Sequence, residues 1–247
     1  MSDHRSEKTK QRDTLISKSE NLVMFNQIAK RYDLMNRIIS LGLDRSWRKA
    51  AVKLLLRQDM DLVLDIGCGT ADLALDIAKV SSVSRIIGID PSFNMLKEGH
   101  RKMDAAFLRD RISLTVGDAT ILPFGSEVFD GIVLGFVIRN VEQRRLALLE
   151  MVRVLRPGGR LVILELGIPK NAFFSFCHRI HTRTLVPLAA AAFADKGAYG
   201  YLIHSVEAFP SPEFFVEEMR TAGFQDAAFL PLTLGAVNVF YGNKGFK

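Results

Sequence analysis

A chain of 247 residues, 48% hydrophobic and 24% charged, has the makeup of a soluble globular protein and is long enough to bury a substantial core. Its formal net charge of +6 permits attraction to nucleic acid or anionic lipid without requiring either. Two cysteines far apart, Cys68 and Cys177, exclude a disulfide framework. No signal-like start and no uninterrupted apolar run of spanning length is present, so the expectation is a cytosolic protein that can touch a membrane from one side.

Residues 1 to about 20, MSDHRSEKTKQRDTLISKSE, are polar and charge-mixed, and read as a disordered arm. Residues 21–58 read as a helical cap. Phe25, Ile28, Ala29, Tyr32, Leu34 and Met35 recur on common faces, Gly42 breaks the run, and Asp44 is placed to cap a second helix carrying Trp47, Ala51, Leu54 and Leu55. The core then alternates: strand Leu62–Ile66, helix Ala71–Lys79, strand Arg85–Asp90, helix Phe93–Met103, strand Ile112–Val116. Strand Phe129–Phe136, helix Val141–Leu155, a turn at Arg156–Gly159 and strand Arg160–Glu165 follow. Alternation of this kind predicts an α/β fold with a mostly parallel sheet and helices on both faces. Residues 168–210, rich in Phe, Ala and basic groups, read as a helical insertion. Helix Pro212–Ala222 restores the rhythm, and Ala227–Pro231 with Ala236–Tyr241 should close the sheet as an antiparallel hairpin. Residues 21–247 are thus expected to form one domain.

The central stretch is LVLDIGCGTADL, Leu62 to Leu73. A buried strand running through glycines Gly67 and Gly69 into a helix is a nucleotide-binding device, because backbone without a Cβ can approach a ligand closely. The dinucleotide fingerprint wants a third glycine where Asp72 stands, and the strand ends in an acid, Asp65. A second acid, Asp90, closes the next strand at the spacing of a carboxylate that holds ribose hydroxyls. Two carboxylates and no phosphate cradle suit S-adenosylmethionine better than a dinucleotide. Asp65, Gly67 and Gly69 would then face its methionine moiety. Asp65, Asp90, Asp118 and the Phe136–Asn140 segment all fall at strand carboxyl ends, where ligands of such sheets sit.

With these residues in place, the sequence resembles the class I S-adenosylmethionine-dependent methyltransferases, and more closely the ubiquinone/menaquinone biosynthesis C-methyltransferases. General signals are LDIGCGTADLA, GIDPSFNML, GDATILPF and VLRPGGRLVILE. Narrower ones are FNQIAKRYDLMNRIISLGLDRSWRKAAV at Phe25–Val52, IRNV at Ile138–Val141, and YGYLIHSVEAFPSPEFFVEEMRTAGF at Tyr199–Phe224. The resemblance implies a Rossmann-like methyltransferase fold, with cofactor contacts at Thr70, Asp90, Asp118 and Ala119. It places Arg139 in substrate activation, with Asp90 in the same network and Asn140 beside it on the substrate side. Departures gather on that side: Gly135 for a serine, Val137–Ile138 for glycine-leucine, Leu166–Pro169 for FSKP, Gly200 for a polar residue, and Ile203–Ser205 for PES.

The implied reaction is C-methylation of a prenylated quinol ring in menaquinone or ubiquinone biosynthesis. A guanidinium at position 139 would stabilise phenolate-like charge on the acceptor, and a nearby carboxylate or water would take the proton. Tyr32 from the cap and Tyr201 from the insertion are further substrate-side candidates, although aromatics at such spacing more often serve the core. The segment around Phe173–Arg183 has the faces of a helix that lies on an anionic membrane and equally those of a core or homodimer helix. Cys177, His178 and His181 lack a fourth ligand, so no metal is expected. Other readings are a methyltransferase for another small hydrophobic acceptor and a non-catalytic cofactor-binding subunit. Nucleic acid is not expected as a partner, since neither an Asn-Pro-Pro-aromatic nor a Pro-Cys motif is present.

Overall fold

The computed structural model describes residues 18–58, 60–169 and 196–246. Helix α1 spans Lys18–Ile28 and passes through a short 3-10 turn, Ala29–Arg31, into α2, Tyr32–Ile39. Helix α3 covers Asp44–Leu55. The core runs β1 (Leu62–Ile66), α4 (Asp72–Val80), β2 (Arg85–Asp90), α5 (Phe93–Ala105), β3 (Ile112–Val116), β4 (Phe129–Gly135), α6 (Arg144–Val154) and β5 (Leu155–Leu166). Helices α7 (Lys196–Ala208) and α8 (Pro212–Ala222) precede β6 (Phe224–Leu232) and β7 (Val237–Lys244).

The seven strands form one sheet in the order β3-β2-β1-β4-β5-β7-β6. β1 to β5 pair in parallel, and β7 inserts antiparallel between β5 and β6. The order reverses at β1, so the crevice outside β1 and β4 is the place where such a sheet receives a ligand. Both faces are covered, which is why the strands are apolar at successive positions rather than alternating. Leu64, Leu134, Leu161 and Ile163 pack under α6 and α8 with Met151, Phe215 and Met219. Their neighbours Val63, Val133, Val162 and Leu164 pack on the opposite face with Trp47, Ala51, Leu55 and Ile77 of α3 and α4.

Several boundaries shift for identifiable reasons. The arm expected through residue 20 ends sooner, because α1 is already helical at Lys18; residues 1–17 lie outside the described part. Asp44 does not cap α3: Leu43 holds that position without a side-chain bond, and Asp44 instead accepts from Ser40 Oγ at 3.1 Å and Arg48 Nη1 at 2.8 Å. Helix α4 starts at Asp72 rather than Ala71, since Ala71 is left-handed with φ of 65°. Strand β4 stops at Gly135, because Phe136 is also left-handed with φ of 62°. A 3-10 turn at Ile138–Asn140 delays α6 to Arg144. The turn expected at Arg156–Gly159 is absorbed into β5 as an irregularity between the Phe129–Leu155 and Gly131–Arg160 pairs. Ser211 does cap α8, accepting from Phe214 N–H at 3.3 Å, and left-handed Gly223 ends it. Most of the insertion, including Cys177, His178 and His181, lies outside the described residues. Among the described residues no helix is long and apolar enough to cross a membrane.

Candidate active site

A cavity of about 1130 Å³, counting its open mouth, lies at the carboxyl ends of β1, β2 and β4. Gly67 and Gly69 form its floor, Asp90 and Ser92 one side, Asp118, Ala119 and Thr120 another. Val137 and Asn140 close it from the segment after β4, and Asn21, Phe25 and Tyr32 roof it from the cap. The glycine turn has the backbone its chemistry requires. Gly67 and Gly69 have φ of 65° and 52°, and a Cβ on Gly67 would lie 2.5 Å from both methyls of Val137.

Asp90 sits at the end of β2 with each carboxylate oxygen held once by backbone: Gly69 N–H donates to Oδ2 at 2.9 Å and Ser92 N–H to Oδ1 at 2.8 Å. Two of about four lone-pair sites are thereby used, and the carboxylate faces the cavity with capacity for hydroxyl donors. Burial pushes its pKa up to about 6 against these two amides. Asp118 is oriented by its neighbour, Thr120 donating from N–H and Oγ1 to Oδ1, both at 2.8 Å.

Four of the residues expected at the site do not line the cavity. Asp65, 1% exposed, accepts from Ala74 N–H at 3.1 Å through Oδ2, while its Oδ1 is buried without a hydrogen-bond partner. Burial, then the charges of Asp90 and Asp72, drive its pKa up to about 7. Asp65 thus braces the start of α4 through Oδ2. Thr70 is buried as well, donating to Asp33 Oδ1 at 2.6 Å and accepting from Lys102 Nζ at 3.0 Å. Lys102 also pairs with Asp33 at 2.8 Å and with Asp72, so the cap is tied to the glycine turn through side chains. That is the use of the acid standing where a dinucleotide site has its third glycine.

Arg139 and Tyr201 stand behind the wall. Arg139, 9% exposed, donates from Nη1 to Glu165 Oε1 and to the Phe136 carbonyl, both at 2.7 Å, and from Nε to Ser205 Oγ at 3.3 Å. Glu165 is fully buried, and its Oε2 also accepts from the Arg139 N–H at 3.2 Å. The guanidinium still reaches the site electrostatically: burial raises the phenol pKa of both Tyr32 and Tyr201, and the charge of Arg139 works against that rise at each. Tyr201 donates to Asn140 Oδ1 at 2.9 Å and accepts from Asn21 Nδ2 at 2.7 Å.

Sequence reasoning missed Asn21, Glu165, Ser205, Asp33 and Lys102. For Glu165 a signal existed, since it ends a buried strand as Asp65 and Asp90 do. The other four sit on helices whose docking no local pattern reports. Asn26 illustrates the point: its Oδ1 accepts from Ser92 Oγ at 2.8 Å and Asn94 N–H at 3.1 Å, pinning α1 across the start of α5.

Comparison with known proteins adds four findings. The model of the ubiE/COQ5 methyltransferase family matches residues 14–244. A protein of Geobacter sulfurreducens named ubiquinone/menaquinone biosynthesis C-methyltransferase UbiE is 40% identical over 225 residues, covering 91% of this chain and 88% of its own. A demethylmenaquinone methyltransferase of Roseiflexus castenholzii is 39% identical over 222 residues, covering 90% and 92%. Among solved structures, an S-adenosylmethionine-dependent methyltransferase from Aquifex aeolicus superposes with a TM-score of 0.63 at 18% identity, covering 88% of this chain and 97% of that one, which bears on the fold alone.

Proposed function

Because this chain belongs to the ubiE/COQ5 methyltransferase family, we propose that it transfers a methyl group from S-adenosylmethionine to a ring carbon of a prenylated quinol, the demethylated precursor of menaquinone or ubiquinone. The observation that carries this reading is one cavity offering a glycine floor with room for a ligand, an acid anchored for ribose hydroxyls, and a polar segment after β4 facing an aromatic-lined roof. The cofactor, when bound, supplies an electrophilic methyl on a sulfonium.

The protein's own part is to hold and to polarise. Asp90 accepts the ribose hydroxyls, Asp118 the adenine amino group with Ala119 as a backbone contact, and the Gly67–Gly69 turn admits the methionine end. Aligning donor and acceptor in one cavity can by itself lower the barrier by roughly 7–11 kcal/mol. Removing the phenolic proton of the quinol pushes electron density onto the neighbouring ring carbon. Arg139 favours that state by its positive charge and does not act as a base, since a guanidinium stays protonated. A nearby carboxylate, for which Asp90 is the candidate, or a water takes the proton. Tyr32 and Asn140 bracket the acceptor.

A tailed acceptor also needs an apolar exit. Val23, Phe93 and Ile121 are exposed large hydrophobics, each adjacent in sequence to a cavity residue, Leu22, Ser92 or Thr120. They suit contact with the surface of the membrane that holds the substrate, on its cytoplasmic side. A second reading, another hydrophobic acceptor, draws on Val137, whose methyls occupy cavity wall where the family carries glycine.

The test offers labelled S-adenosylmethionine with demethylated naphthoquinol and benzoquinol, each in vesicles under reducing conditions. Label on the ring carbon is expected, with the protein co-sedimenting with the vesicles. Arg139→Ala should keep cofactor affinity and lose at least 100-fold in turnover, about 2.7 kcal/mol in barrier. Transfer to neither quinol despite cofactor binding would favour the second reading, and unchanged kcat in Arg139→Ala would remove that residue's role.

A further inference from the structure

Three elements that are remote in sequence meet at one phenol. Tyr201 of α7 is 8% exposed, and its hydroxyl lies between Asn21 of α1 and Asn140 of the 3-10 turn after β4. Both asparagines line the cavity and Tyr201 does not. A phenol has a single proton to give. Since Asn21 Nδ2 donates to it at 2.7 Å, that proton goes to Asn140 Oδ1 at 2.9 Å. The oxygen of Asn140 is then turned toward Tyr201 with one of its two lone pairs filled, and its NH2 group is the donor left for the cavity.

We propose that Tyr201 is a positioning residue that turns the amide of Asn140 so that its NH2 group, and not its oxygen, meets the acceptor oxygen. The inference rests on the quinol reading for the identity of that oxygen, and it deepens it. An amide presenting N–H binds a phenolate better than a phenol, because both can accept but only the phenol would welcome an acceptor in return. Asn140 thus selects the acceptor in the form whose ring carbon is nucleophilic. Tyr201 is suited to the task because burial raises its pKa, with Arg139 and Asn21 opposing and Glu165 and Glu142 adding, so it keeps the proton it must donate. The surrounding packing holds it in place: its ring lies on Met24, Phe25 and Ile28. Ser205, one turn further along α7, meets Arg139, so a single helix orients both polar groups behind the acceptor.

Two variants separate this role from mere packing. Tyr201→Phe removes the donor and keeps the ring. Asn21→Asp keeps the shape but turns an N–H donor into a carboxylate acceptor, which takes the phenolic proton away from Asn140. Both are expected to raise KM for the quinol and lower kcat by about tenfold each, with cofactor affinity by calorimetry within twofold of wild type. The side-chain amide 15N signal of Asn140, identified by its loss in Asn140→Asp, should shift in both variants. A chain of hydrogen bonds running the other way, from Asn140 through Tyr201 to Asn21, would leave Asn21→Asp with wild-type kcat, KM and amide signal, and would overturn the proposal. Equal losses in cofactor affinity and in turnover would overturn it too, by reducing Tyr201 to a structural support. A wild-type protein that methylates no quinol counts against the substrate reading instead, and the amide signal still reports the direction of the chain.

Discussion

At the scale of single residues, the site works by pre-orientation of a few charged groups whose environments pull them away from their ordinary behaviour. Asp90 is the clearest case. Its pKa rises to about 6 through burial, opposed by two backbone amides. A ligand that donates hydroxyl hydrogen bonds prefers the ionised form, so binding should pull that pKa down and expel a proton wherever the free carboxyl is still protonated. The sign follows: affinity for S-adenosylmethionine climbs as pH rises from about 5 through 6 and levels off above 7. Calorimetry in buffers of different ionisation enthalpy should register proton release at pH 6. Affinity that is flat over this range would take the ribose hydroxyls away from Asp90. Asp90→Asn should bind the cofactor about tenfold more weakly and lose the pH dependence, since an amide offers one acceptor oxygen where the carboxylate offers two.

At the scale of elements, short turns at the ends of β1 and β4 line the cavity, and each is locked by the other. Gly67 needs its φ of 65°, and Val137 fills the space where a side chain would go. Gly67→Ala should therefore destabilise the fold by roughly 1–3 kcal/mol, combining a left-handed backbone with overpacking, and abolish measurable cofactor binding. Adding Val137→Gly should restore the steric share and leave the backbone share, a partial recovery that urea unfolding of the double variant can read. Full recovery would mean that the backbone geometry costs nothing. Helices α1 and α7 play the complementary part. They bring no chemistry that their sequences advertise, yet Asn26 pins α1 to the start of α5, and Tyr201 and Ser205 join α7 to Asn140 and Arg139.

At the scale of the whole molecule, stability and site geometry share one sheet. The last strand in sequence, β7, is interior in space, paired with β5 on one side and β6 on the other. Its Phe240 is 1% exposed and meets Phe215 edge-on at 4.8 Å, with Phe209 and Phe229 at 6.4 and 5.9 Å. Truncation to Ala would open a cavity that this rigid neighbourhood cannot close, at a cost of about 3–5 kcal/mol. Thermal or urea unfolding measures it. A loss below about 1 kcal/mol would show that the aromatic cluster relaxes to fill the space. The cost should fall on folding before catalysis, because Phe240 lies under α8 and away from the cavity.

How much of this was legible beforehand differs by kind of feature. β1, β2, β3 and α8 end where their residues say they should, because apolar runs and capping groups act locally. The acids Asp90 and Asp118 and the glycines Gly67 and Gly69 were likewise readable, since strand ends and glycine turns bring them to one rim in any sheet of this order. Tertiary structure decided the rest. It turned Asp65 and Thr70 inward, to an α4 amide and to the Asp33–Lys102 pair. It set Arg139 behind the wall on Glu165 and put Asn21 beside Tyr201, 180 positions away. The division has one physical cause. Periodicity and turn chemistry depend on neighbours along the chain, whereas the direction of a buried polar side chain depends on which donor or acceptor the packing of distant helices brings within about 3 Å.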